Sequence, residues 1–243
     1  MSDWSSSYLE LLKNRINLRH IPFSERGSRL LLFQDGDHFQ IKLAERWFKI
    51  DQQLTSYRQR PPILDEWRFT DENGTPLELE TTTYPHRIDC HSTHGDFSIV
   101  FADTESLLIT LPAGTCGLTF QAHLDQAHPD RRGGVLRLTG DIRRNISYTT
   151  NARIVRHEVE GGVENTQRIH LIVQSDGNDA LLLNVTPRLG FNRYIHSIEE
   201  TLDAAARRWH AWFAATPHVS EAYRAQYYYA WWIMRAGLIS TRC

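Results

Sequence analysis

Between residues 29 and 185 one short strand pattern follows another, and no helical periodicity interrupts them before Ser197. The first pattern, 29–33, is joined through the tight turn Asp35-Gly36-Asp37 to Phe39, Ile41 and Leu43, which alternate with Gln40 and Lys42 as in a half-buried strand. Trp67-Arg68-Phe69, the turn Asn73-Gly74 and residues 77–84 form the next pair. Further patterns cover 86–91, 97–101, 106–111, 115–121, 133–139, 142–148, 153–160, 167–174 and 180–185. A parallel βαβ fold needs a helix between strands, so this order predicts a large antiparallel β-sandwich.

Two helical patterns follow the strands. In 197–213, Ile198, Leu202, Ala205, Trp209, Trp212 and Phe213 share one face. Ser197 is a good N-cap with Glu200 three positions on, and Arg207, Arg208 and His210 are expected in the last turn, where the helix dipole favours cations. After Pro217, residues 220–238 carry Tyr223, Tyr227, Tyr228, Tyr229, Trp231, Trp232, Ile233, Met234 and Leu238, which point in nearly every direction around a helix. Such a helix needs neighbours all round. The upstream strands are expected to cover one side and something outside these 243 residues the other, which makes the chain the front part of a longer protein. Packing wholly on its own sandwich, and contact with a second copy, remain open. The expected division is a sandwich over 1–195 and a helical linker over 196–243.

A net charge of −2 with acids and bases intermixed argues against nucleic acid and against a membrane surface as partners. No run of eighteen apolar residues occurs, and the N-terminus lacks a basic region followed by an apolar one, so the expected location is cytoplasmic. Cys90, Cys116 and Cys243 are odd in number and unmatched in spacing, as reduced thiols would be.

No constellation singles out a chemistry. His91 and His94 stand three apart near Asp89 and Asp96, but in a Gly95 turn, which reads as an exposed hairpin tip and not a metal site. His123 and His128, with Asp125 and Asp130, read as a polar loop. Carboxylate pairs serve glycoside hydrolysis, where one acid protonates the leaving oxygen and a second activates water or attacks carbon. Asp65 with Glu66, Glu78 with Glu80 and Glu158 with Glu160 are the pairs available, each equally at home on a solvated strand face. Nucleophile elbow, P-loop and dinucleotide fingerprint are missing from the sequence, so no cofactor is called for. Trp47, Phe48, Tyr57 and Trp67 could stack on sugars or fill the core.

Three stretches together carry a resemblance: Ile21-Pro22-Phe23-Ser24-Glu25-Arg26-Gly27-Ser28-Arg29-Leu30; Tyr84-Pro85-His86-Arg87-Ile88-Asp89 with residues 97–103 and Leu111-Pro112-Ala113-Gly114; and Tyr228-Tyr229-Ala230-Trp231-Trp232-Ile233-Met234-Arg235-Ala236-Gly237-Leu238-Ile239. They resemble the N-terminal β-sandwich and linker of bacterial glycoside hydrolases built on an (α/α)6 barrel. That group is labelled glycogen-debranching or amylo-α-1,6-glucosidase-like and is related to trehalase and the processing α-glucosidases of glycoside hydrolase family 63. The resemblance implies a following barrel that performs inverting hydrolysis of an α-glycosidic bond, with catalytic residues beyond Cys243 and none in this chain. It further implies that the barrel is the chain's partner, that Tyr227, Tyr228, Trp231 and Trp232 meet it, and that a carbohydrate is its substrate. Glu25, Arg26 and Arg29 would lie toward the mouth of the sugar pocket, unless they form an internal ion pair at the sandwich edge. A stand-alone carbohydrate-binding sandwich is the competing reading.

Overall fold

The computed structural model describes residues 8–44, 61–123, 126–138, 144–161, 166–186 and 190–238. A one-turn helix, α1 (Tyr8–Leu11), precedes the strands. The helical spacing through Ile16 is cut short because Asn14 takes a left-handed backbone at φ 56°.

The strands form two antiparallel sheets. The 6-stranded sheet runs β1 (Leu30–Asp35), β2 (His38–Leu43), β3 (Leu64–Thr70), β8 (Ala113–His123), β13 (Thr166–Asp176), β12 (Arg153–Gly161). The 8-stranded sheet runs β4 (Glu80–Thr83), β5 (Arg87–Ser92), β6 (Gly95–Phe101), β7 (Ser106–Thr110), β14 (Ala180–Thr186), β11 (Arg144–Thr150), β10 (Gly133–Leu138), β9 (Gln126–Asp130). The inner faces meet ring on ring: Phe69 of β3 stacks on Phe97 of β6 with centroids 4.1 Å apart, and Phe120 of β8 meets the edge of Tyr148 of β11 at 5.5 Å. The expected sandwich is the observed architecture, each sheet burying an apolar face against the other, while the centre of the 8-stranded sheet, as at β14, is buried on both faces.

Two strand expectations change. The polar loop around His128 is strand β9, outermost in its sheet and almost entirely exposed. With neither face buried it shows no alternation, and Pro129 is tolerated because an edge strand has unpaired donors anyway. The pattern over 77–84 contracts to β4, with Leu77 held to Phe69 by a single backbone bond of 2.9 Å.

Helix α2 (Ile198–Ala214) begins where expected, with the Ser197 hydroxyl accepting from the Glu200 amide at 3.4 Å. It runs further than expected, so its last turn carries no basic residue. One side of α2 lies on the outer face of the 8-stranded sheet, where Ala205 packs among Val100, Leu108, Ala180 and Leu182. Another side sends Ala206, Trp209 and Phe213 into the main core with Tyr228, Trp232 and Ala236 of α3 (Arg224–Ala236). Gly133, at φ 130°, and Gly134 let β10 pass close to Tyr148, because a Cβ on either would collide with that tyrosine.

Candidate functional site

The loop over 21–29 is stiffened by its own serines: Ser24 Oγ donates to the Leu30 carbonyl at 2.8 Å, and Ser28 Oγ accepts from the Leu30 amide at 2.9 Å. Gly27, in the left-handed region, donates its N–H to the Leu238 carbonyl at 2.6 Å just past the end of α3. Glu25 lies inside, 3% exposed. Its Oε1 accepts from Arg235 Nη2 at 2.6 Å and from the Arg26 amide at 2.8 Å; its Oε2 accepts from Arg208 Nε at 3.2 Å. Arg208 also reaches the Phe101 carbonyl at 2.7 Å, and the Arg235 guanidinium lies 4.8 Å from the Trp209 ring centre. Burial pushes the Arg235 pKa down and Glu25 pulls it back up. Arg26 is exposed, and Arg29 is half-buried with its carbonyl bonded to the Ala44 amide at 2.8 Å. One carboxylate thus ties the N-terminal loop to both C-terminal helices.

Helix α3 is more fully covered than its sequence implies. Trp232 is completely buried, stacked between Trp209 at 6.3 Å and Tyr229 at 6.0 Å, and its indole N–H donates to the Pro85 carbonyl at 3.4 Å. Tyr228 is enclosed by Phe213 at 5.7 Å and Tyr8 at 4.8 Å. The expectation that this chain covers only one side of the helix is therefore corrected for Tyr228 and Trp232: α2, α1 and the 84–86 turn close around them. Tyr227 and Trp231 are half-buried, Trp231 meeting Trp212 at 5.0 Å. What stays outside is narrower: Ile233 at 39% exposure and Met234 at 49% on α3, Tyr223 at 67% just before it and Leu238 at 45% just after it.

The other candidates are held in surface pairs or in the core. His91 pairs with Asp96 at 3.0 Å on the hairpin, and no group of three His, Cys, Asp or Glu able to hold a metal occurs among the described residues. Glu66 engages Arg168 at 2.8 Å, Asp65 lies 3.9 Å from His38, and Glu158 and Glu160 lie 3.8 Å from Arg156 and 3.7 Å from His170. Glu78 and Glu80 are exposed. Trp67 is 2% exposed and fills the core; Trp47, Phe48, Tyr57 and Cys243 lie outside the described residues. Burial pushes the Cys90 thiol up to about 12 and the Cys116 thiol up to about 11, so both stay protonated and unreactive.

Two clefts emerge that sequence reasoning missed. One, of about 390 Å³, opens between β1 and β4 beneath residues 14–19, and is lined by Asn14, Arg15, Asn17, Arg19, Gln34 and Thr81 among others. The second, about 490 Å³, brings Asp103 and Glu105 together with Asn184, Asn192 and Phe191. Asp103 spends its oxygens on the Glu105 amide at 2.7 Å, Ser106 Oγ at 3.0 Å and Asn192 Nδ2 at 3.3 Å, so it serves as a turn anchor. Neither cleft includes Glu25, Arg26 or Arg29 in its lining. Loop and strand residues from distant segments build both, and no local periodicity shows that they will meet.

No helix among the described residues is long and apolar enough to cross a membrane. No protein family and no curated protein matches the chain in sequence. Among solved structures it is similar to a heparinase III with methylated lysines, at TM-score 0.35 and 10% identity over 68% of this chain and 35% of that one. It is also similar to a protein described as a kojibiose phosphorylase from human microbiome, at TM-score 0.35 and 8% identity over 89% of this chain and 36% of that one. The chain spans little more than a third of either protein, and likeness at these scores carries no argument about this chain.

Proposed function

We propose that the chain is the non-catalytic β-sandwich and helical linker of a glycoside hydrolase acting on α-glucosides, a scaffold against which a catalytic barrel beyond Cys243 is seated. The observation that carries this reading is the outward stripe of α3. Its inward face is locked into the core through Trp232 and Arg235, while Ile233 and Met234 remain bare on the same helix, with Tyr223 exposed just before it and Leu238 just after it. A rigid helix presenting a row of large apolar side chains suits a permanent seat for another domain. The sequence resemblance supplies the identity of that domain, and Glu25 with its two arginines then holds the seat in place, not a sugar.

Calorimetric titration of the chain with maltose and trehalose separates this reading from a stand-alone sugar-binding sandwich. A scaffold gives no saturable heat with any of these neutral sugars; saturable binding of one of them overturns the scaffold in favour of the module.

A further inference from the structure

The cleft between β1 and β4 is built as a binding site. Both strands are the outermost of their sheets, β1 of the 6-stranded sheet and β4 of the 8-stranded one, and residues 14–19 bridge them. On the β4 side, the Asn14 amide donates to the Thr83 carbonyl at 2.9 Å and Thr83 Oγ1 donates to the Ile16 carbonyl at 3.2 Å. On the β1 side, the Gln34 amide donates to the Leu18 carbonyl at 3.2 Å. The cleft wall is therefore set before any ligand arrives, which lowers the ordering cost of binding.

The hydrogen bonds also fix which atoms are left to recognise that ligand. A backbone N–H can only donate, so the Thr83 amide at 3.2 Å holds Asn14 Oδ1, and the Arg19 amide at 3.1 Å holds Asn17 Oδ1. Each asparagine therefore has its oxygen committed to backbone and its Nδ2 left over. Among the described residues, neither those two nitrogens nor the guanidinium groups of Arg15 and Arg19 have a hydrogen-bond or ion-pair partner. On the strands, Gln34 Nε2 donates to Thr81 Oγ1 at 3.1 Å, which leaves Gln34 Oε1 as the uncommitted acceptor. Among the described residues no acidic side chain lines the cleft. Residues 14–19 supply donors and positive charge, and the flanking strands supply an amide oxygen and a hydroxyl.

We infer that this cleft binds a small hydroxylated oxyanion, a sugar phosphate or a sugar acid. The oxyanion would lie against Arg15, Arg19 and the two asparagine nitrogens, and the ligand hydroxyls against Gln34 and Thr81. Guanidinium and amide N–H groups match phosphate and carboxylate oxygens in charge and geometry. A volume of about 390 Å³ falls at the small end of the ligand-site range. The inference stands apart from the scaffold proposal, which concerns α3 and neutral sugars.

The test is calorimetric titration of the chain, and of its Arg15→Gln/Arg19→Gln double variant, with glucose 6-phosphate, glucuronate, inorganic phosphate and glucose. Both arginines are exposed, and an unchanged melting temperature checks that the variant folds. Expected is binding of glucose 6-phosphate or glucuronate at least about tenfold tighter than glucose and than inorganic phosphate, weakened by salt and lost by a similar factor in the variant. Phosphate alone binding as tightly as the sugar esters overturns the hydroxyl part of the assignment. No binding of any probe, equal binding of glucose, or a variant that binds as the parent does overturns the site.

Discussion

Replacing Glu25 with alanine is expected to destabilise the fold by about 3–5 kcal/mol, because the change strands Arg235 in the core without a counter-charge. Arg235 is 6% exposed, and its Nε already lacks a partner, so it has no route to water when the carboxylate goes. Arg208 is about a third exposed and can rehydrate, so it contributes little to the loss. The decisive comparison is the double variant Glu25→Leu/Arg235→Leu, in which neither charge remains to be stranded. Urea denaturation with an unchanged slope should place the double variant above both single variants in stability. Losses that simply add would mean that Glu25 and Arg235 do not act as a pair.

The second large effect is a dependence on pH centred on His86. The ring is 5% exposed, and burial, with a smaller contribution from the neighbouring Arg87, pushes its pKa down to about 3 from the ordinary 6.5. Arg87 Nη1 lies 3.3 Å from Nε2 and can only donate, so the neutral ring carries its proton on Nδ1, which has no partner. The folded-state pKa lies below the unfolded one, so the unfolded chain takes up a proton first as pH falls. The stability is complete above pH 6.5 and drains away between there and about 3, at about 1.4 kcal/mol per pH unit. Between pH 7.5 and pH 5.0 the loss from this group is about 2 kcal/mol. That window stays above the carboxylates held below their usual range, such as Asp130 beside Arg193. His157, also pushed down by burial, loses stability in the same direction, so the measurement is a difference between the parent and His86→Phe. The variant should lose about 2 kcal/mol less across the window; parallel losses in both proteins would remove His86 from the account.

Much of the sandwich was legible because half-buried strands write their burial into the sequence as alternation. Residues 38–41 show it plainly, and a turn such as Asp35-Gly36-Asp37 supplies the stop. Strand β9 was illegible for the converse reason: with both faces wet, His128 and Pro129 obey no pattern. The cap at Ser197 was legible because capping depends on residues three positions apart. The aromatic helix was legible as crowded, but its cover was misjudged, since nothing local shows that Trp209 will stack on Trp232 or that Tyr8 will reach Tyr228. Glu25 was singled out without its partners, because Arg235 lies 210 residues away and pairing at that range is decided by topology alone. The cleft under residues 14–19 follows the same rule, since its chemistry depends on which amide oxygens the backbone has already claimed.

The scaffold proposal stands or falls on what faces Met234, which is 49% exposed on the outward side of α3. Peroxide oxidation of Met234, followed by mass spectrometry of its peptide, should be compared between this chain alone and the product of the complete reading frame that encodes it. Ready oxidation in the chain alone, slowed at least about tenfold in the longer protein, is the result expected if a further domain sits on that stripe. Equal oxidation in the two, or a reading frame that stops at Cys243, would contradict it.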